Sequence, residues 1–208
     1  MKISQIILCS VLAMVSLSVM AQKAQTYSNY GDGEKKLQWE GVLGFNLSNV
    51  DGVVATASGS DLKWSPGGRI GAVCNYYFNG QEVGSLYING GLLLSLRGFQ
   101  FPDYDESRCN AFFFDVPIHL GYRFKLGEMA GLFLEAGPYV GVGAFGKYGG
   151  IETFDVMKRF DFGISDRLGV DIQKFVISAG FDYGLLKAID GIDGSKNQNL
   201  HIDLGYKF

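Results

Sequence analysis

The chain has two histidines, and His201 stands two residues before Asp203. On an extended strand that spacing puts both on one face, where a carboxylate could orient an imidazole for proton transfer. A hydrolase or surface lipid-modifying enzyme would also need a nearby Ser or Cys nucleophile. No lipase-type or deacylase-type motif supplies one, so a buried polar network is the favoured reading of the pair. His119 is too distant in sequence for the two rings to suggest a metal site by spacing. The segment Gly141-Val142-Gly143-Ala144-Phe145-Gly146 matches G-x-G-x-x-G after a strand-like run. No amphipathic helix follows to present its N-terminus to a pyrophosphate, so close backbone packing is expected instead. Asp190 and Asp193 lack the spacing of a calcium-binding loop. The sequence therefore assigns no catalytic, cofactor-binding or metal residue and implies no cofactor.

Three other groups stand between the strand-like runs and combine aromatics with charge. They are Asp103, Tyr104, Asp105, Glu106 and Arg108; Lys147, Tyr148, Glu152 and Phe154; and Asp190, Asp193 and Lys196. A surface ligand would be met at such exposed tips.

The elements that position these residues follow from the order of the chain. Lys2 precedes an apolar run over 6–20 that is too short and Ser-broken to span a membrane as a helix, and Val19-Met20-Ala21 supplies a cleavage pattern. Residues 1–21 are expected to be a signal peptide cleaved after Ala21, and 22–36 a short polar segment. Cys9 lies inside the apolar run and leaves with the leader. The 208 residues carry net charge -3, or -4 with 17 basic and 21 acidic residues after cleavage, and no basic stretch, so nucleic acid is not expected as a partner. Hydrophobic residues at 47% exclude disorder, and the 30 glycines follow no G-X-Y period.

From residue 37 to 208 the hydrophobic period is two. Eight runs alternate, at 37–48, 69–78, 85–97, 112–124, 132–143, 160–171, 175–184 and 200–208. In the fourth, Phe112, Phe114, Val116, Ile118, Leu120, Tyr122 and Phe124 all keep one parity. The connecting segments alternate long and short: 49–68, 79–84, 98–110, 125–131, 146–159, 172–174 and 186–199. An even number of antiparallel strands with short turns at one end and long loops at the other describes an eight-stranded, up-and-down transmembrane β-barrel. A soluble lipocalin-like barrel would also alternate, with its apolar face inward around a ligand. The polar parity decides between them, because it is crowded with Gly and with Arg69, Arg97, Asp115, Arg123, Glu135, Asp161, Arg167, Asp182 and Asp203. That composition suits a narrow lumen plugged by paired charges, too full for an open pore. Trp39, Tyr76, Phe78, Tyr122, Phe124, Phe175, Tyr206 and Phe208 would form an outward aromatic belt at the periplasmic end, where lipid meets water.

Three features strain the pattern. Asp166 falls on the apolar parity, which a bulge or a membrane-boundary position would relieve. Pro117 and Pro138 lie inside strands of a closed barrel, so each should mark a bulge or a lost ladder bond. Cys74 and Cys109 fall on non-neighbouring strands, near opposite ends and on opposite faces, which leaves them as free thiols.

The fourth run (FFFDVPIHLGYRF), the fifth (LFLEAGPYVGVG), FDFGIS, FDYGL and the terminal LGYKF resemble the porin-like outer-membrane β-barrel family of Bacteroidota, to which the PorT-type proteins are related. The resemblance covers residues 37–208. It implies location in the cell outer membrane and contact with its lipid, and makes Phe208 part of the signal read by the barrel-insertion machinery. Where family members often carry an apolar or Gly residue after FDFGIS, this chain has Asp166-Arg167. The motifs are structural, and the role they imply is structural or interactive rather than enzymatic.

Overall fold

Alternation of period two can satisfy its backbone only by pairing with neighbours, and a computed structural model shows how it does so. The structure describes residues 37–53, 62–80, 84–101, 108–127, 129–148 and 151–208. Eight long strands follow in order: β1 (Leu37–Asp51), β2 (Lys63–Gly80), β3 (Gly84–Gln100), β4 (Arg108–Leu126), β5 (Ala130–Tyr148), β7 (Phe160–Ile172), β8 (Phe175–Gly184) and β9 (Lys196–Lys207). A two-residue strand, β6 (Ile151–Glu152), folds back on the end of β5. Each long strand pairs antiparallel with the long strands before and after it, and β9 pairs with β1, placing Leu43 opposite Leu204 and closing the barrel. Among the described residues no helix is long and apolar enough to cross a membrane.

The faces are inverted relative to a soluble protein. Leu43, Ile70, Leu120, Ile202 and Leu204 are each more than half exposed, while Glu40, Asp115, Glu135 and Asp203 retain 3% or less of their surface. The lipocalin-like alternative, with its apolar face inward, is thereby corrected. Side chains of the polar parity fill the narrow interior that eight strands enclose. The glycines on that parity make room for them, since a Cβ at Gly44 would strike the Asp203 carboxylate, and one at Gly180 the His201 ring.

Several strands run further outward than the alternation suggested, so the loops are shorter. β2 starts at Lys63 and pairs Trp64 with Phe99, then shifts register before Arg69 across the Pro66-Gly67-Gly68 stretch. This pairing lies beyond the apolar band, where neither face must be greasy and the periodic signal vanishes. At the opposite end β7 and β8 are joined by Gln173 and Lys174, with Gln173 at φ 54° in the left-handed region.

Both prolines interrupt pairing without shifting it. The β3–β4 ladder passes from Gly90–Ile118 to Leu93–Asp115 in constant register, omitting the positions around Pro117. The β4–β5 ladder passes likewise from Pro117–Tyr139 to Leu120–Ala136, omitting Pro138 and Gly137. They are lost ladder bonds rather than bulges. Pro138 is exposed on the outer face, so Pro138→Val would restore an N–H and place a β-branched side chain on the apolar surface. We expect a gain of about 0.5–1.5 kcal/mol, read as a higher temperature for conversion of the compact unheated gel band to the unfolded one.

Candidate functional site in the lumen and outer mouth

The lumen is organised around three buried guanidiniums contributed by different strands. Arg97 on β3 reaches Asp115 at 2.8 Å, Asp161 at 3.3 Å and Asp182 at 3.5 Å. Its guanidinium also lies over the Tyr139 ring at 5.2 Å, and the Tyr139 hydroxyl donates to Asp161 at 2.7 Å. Arg69 on β2 lies 3.6 Å from Asp203 and 3.7 Å from Asp182. Arg167 on β7 pairs with Glu40, lies 3.5 Å from Glu135 and donates to the Ser178 hydroxyl at 2.8 Å. Near the inner opening Arg123 grips Asp171 through two hydrogen bonds of 2.7 and 2.6 Å, and Lys207 joins them at 3.3 Å.

The histidines belong to this network. His201 Nδ1 lies 2.9 Å from Asp203, as the two-residue spacing implies, and its Nε2 lies 3.6 Å from Asp182. Its position differs from the expectation. Because β9 begins at Lys196 rather than near residue 200, His201 lies deep in the lumen instead of near the outer end. The nearby Ser165 hydroxyl donates to Asp182 at 2.6 Å, so it is held by a carboxylate and not by an imidazole base. His119 lies 3.5 Å from Glu135, which also accepts from the Tyr87 hydroxyl at 2.7 Å. The His201 ring therefore bridges two carboxylates, on β8 and β9, and the His119 ring on β4 stands against Glu135 on β5. Between them a cavity of about 10 Å³, lined in part by Arg69, Arg167, His119 and His201, has room for a single water. Among the described residues no cluster of His, Cys, Asp and Glu could hold a metal ion. Cys74 and Cys109 are free, with Cys109 buried inward and Cys74 half-buried on the outer face.

The outer mouth holds what sequence reading missed. Val50, Val53, Leu62, Phe99, Cys109, Ala111, Phe113, Met157, Ala188 and Ile189 form one buried apolar cluster, with Phe101, Phe154 and Val156 packed against it. Phe154, expected on an exposed tip, instead turns inward on a short 3-10 turn over Thr153–Asp155 and meets Phe113 edge-on at 5.8 Å. Gly143 leaves the space its ring occupies. Thr153 donates to the Asn110 carbonyl at 2.9 Å, and the third and fourth loops are tied by Lys158 N–H to Ala188 C=O at 2.9 Å and Asp190 N–H to Val156 C=O at 3.2 Å. The available signal was the presence of Phe154, Val156, Met157, Ala188 and Ile189 within otherwise polar loops. Arg108 and Lys196 are likewise not on tips, since they begin β4 and β9.

Exposed cations on these loops are matched by acids: Lys158 with Asp190 at 3.2 Å, Arg159 with Glu152 at 3.2 Å, and Lys187 with Asp193. The Lys187 ammonium donates to Asp193, holding that carboxyl below its ordinary value, and is itself raised in return. Asp103, Tyr104, Asp105 and Glu106 lie outside the described residues.

Comparison with known proteins is consistent with this architecture. The family model for the outer membrane protein beta-barrel domain matches residues 20–190. Ail of Yersinia pestis, solved with the heparin analogue sucrose octasulfate, is 20% identical over 82% of this chain and 99% of its own, with a TM-score of 0.43. Neisserial surface protein A is 11% identical over 85% of this chain and 100% of its own, at 0.49. OprG of Pseudomonas aeruginosa is 10% identical over 85% and 97%, at 0.48. No match was found among curated proteins.

Removing the centre of the network should be costly. Arg97→Ala leaves Asp115, Asp161 and Asp182 facing one another without their shared cation, a loss of about 3–5 kcal/mol. The temperature at which the compact unheated gel band converts to the unfolded one, compared with wild type, checks the size of the loss.

Proposed function

The chain belongs to the outer membrane protein beta-barrel domain family, and on that premise we propose that it is a non-conducting, non-catalytic barrel that presents its outer loops to a surface partner. The observation that carries this reading is closure of the lumen at two levels. Below, buried ion pairs of Arg69, Arg97 and Arg167 cross the interior, and the cavity between His119 and His201 among them has room for about one water. Above, the apolar cluster built from Phe99, Phe113, Met157 and Ile189 covers the mouth. A solute would have to break several buried ion pairs to pass, and the buried histidines face carboxylates rather than a path for substrate. The third and fourth loops, laced to each other by main-chain hydrogen bonds, offer a preorganised outer surface.

The same reading includes export by a leader cleaved after Ala21, recognition of Phe208 by the barrel-insertion machinery, and kinship with the PorT-related barrels of Bacteroidota. Sequencing of the mature N-terminus, expected at Gln22, tests the first of these. The closed lumen is tested in planar lipid bilayers and by liposome swelling with small sugars. We expect no steady single-channel conductance and no swelling above protein-free vesicles. A stable, voltage-independent conductance would overturn the reading and make the lumen a pore.

A further inference from the structure

Seven of the eight neighbouring pairs of long strands follow one another along the chain, so a connecting segment limits how far one can slide past the other. β1 and β9 meet with no such connection. They are also the neighbours most distant in sequence, so their pairing carries the largest loop-closure cost. It fixes the stagger of the barrel as well, because strand number, tilt and stagger are linked once the sheet closes. The apolar face does not decide the register of this seam. Leu43, Phe45 and Leu47 face outward on β1, as do Leu200, Ile202, Leu204 and Tyr206 on β9. Parity forbids a slip of one residue, which would turn every side chain to the other face. A slip of two leaves the same residues in lipid.

The lumen does distinguish the two registers. Gly44 stands opposite Asp203 and Gly205 opposite Val42, and each glycine lies where a carboxylate needs room, that of Asp203 at Gly44 and that of Glu40 at Gly205. Two guanidiniums reach over the seam from opposite sides. Arg69 on β2 extends past β1 to Asp203 on β9 at 3.6 Å and to Asp182 on β8 at 3.7 Å. Arg167 on β7 extends past β8 and β9 to Glu40 on β1. Asn46 on β1 adds a neutral contact, donating to Asn199 on β9 at 2.7 Å. Sliding β9 along β1 by two residues displaces the two sides by ~7 Å, which separates Arg69 from both acids and Arg167 from Glu40 in one movement. It also brings His201 or Gly205, neither of them an acid, opposite Gly44. Arg69, Arg167, Glu40 and Asp203 each retain 7% or less of their surface, and an ion so buried is costly without its partner.

We propose that the Arg69–Asp203 and Arg167–Glu40 ion pairs set the register in which β1 closes on β9. Among the slips of two that lipid tolerates, they select the one in which Leu43 meets Leu204, and so fix the stagger of the finished barrel. Buried ion pairs add little net stability when desolvation offsets their attraction, and specifying a register is the use for which they are best attested. Their placement fits that use. In each pair the acid lies on a seam strand and the cation comes from beyond the seam, so neither pair forms unless β1 and β9 meet correctly. The inference is independent of whether the lumen conducts.

The test reads the register directly, by disulfide formation on the outer face of the full chain folded into lipid vesicles, with Cys74→Ala as background. One form carries Leu43→Cys and Leu204→Cys, which stand opposite each other. The others combine Leu43→Cys with Ile202→Cys or Tyr206→Cys, which come within reach only after a slip of two. With native charges, oxidation should join the first pair about tenfold more than either of the others. In Glu40→Gln/Asp203→Asn that preference should fall below about threefold. This variant leaves neither guanidinium alone, since Arg69 keeps Asp182 and Arg167 keeps Glu135 at 3.5 Å, so the compact unheated gel band should persist. A loss of stability alone would lower the temperature at which that band converts and leave the preference intact. If the double variant gives no compact band, Asp203→Asn alone, with Arg167 still on Glu40, should lower the preference by about half. A native-charge form without the preference, a folded variant whose preference is unchanged, or loss of the compact band from Asp203→Asn alone would overturn the proposal.

Discussion

The constraint behind every other feature is that hydrocarbon offers nothing to a backbone N–H or C=O. A strand in that medium must be paired on both sides, so the sheet must close. Pairing of β9 with β1 achieves this, and alternation follows from closure because a pleated strand points successive side chains to opposite faces. The outer face is left to apolar groups and the inner face to everything else. Pro117 and Pro138 show how far the rule bends, since each removes ladder bonds yet the register on either side is unchanged. The neighbouring pairs hold the strands in place across the gap.

Closure then forces the interior. Eight strands enclose too little space for bulk water, so each charge on the inner face must find its partner among other strands. The solution is shared rather than pairwise: Asp182 alone is approached by Arg69, Arg97 and His201 and accepts from Ser165 and Asn199. Groups from β2, β3, β7, β8 and β9 meet at this one carboxylate, which ties opposite walls together in a way that the ladders cannot. Glycines on the inner parity are part of the same solution, because long Arg, Tyr and His side chains fit only where a neighbouring position has no Cβ.

Much of this was legible in the sequence because closure writes itself as period two. The strand count, the outward apolar face, the aromatic belt, the inner ion pairs and the two separated cysteines all follow from parity and loop length. Parity falls silent where the medium changes. Beyond the apolar band Lys63 and Trp64 continue β2 with no alternation to announce it, and β9 starts four residues before its alternating run, which is why His201 lies deeper than its place in that run suggested. Phe154 was misplaced for a related reason. A loop has no period, and only the local excess of apolar residues at 154–157 and 188–189 marks one that folds inward.

The two places where charge departs from simple pairing differ in kind. In the deep lumen the described carboxylates Glu40, Asp115, Glu135, Asp161, Asp182 and Asp203 outnumber the guanidiniums of Arg69, Arg97 and Arg167, and the two imidazoles stand against three of those acids. There, crowding of polar groups is the means by which the barrel is filled, and no single residue is anomalous. Asp166 is met differently. It interrupts a row of Phe, Ile, Leu and Val on the outer face of β7 without a bulge, and the main-chain amide of Phe181, directly opposite on β8, hydrogen-bonds its half-buried carboxyl. Here one backbone N–H, and not a second charge, offsets the cost of a polar group among apolar neighbours.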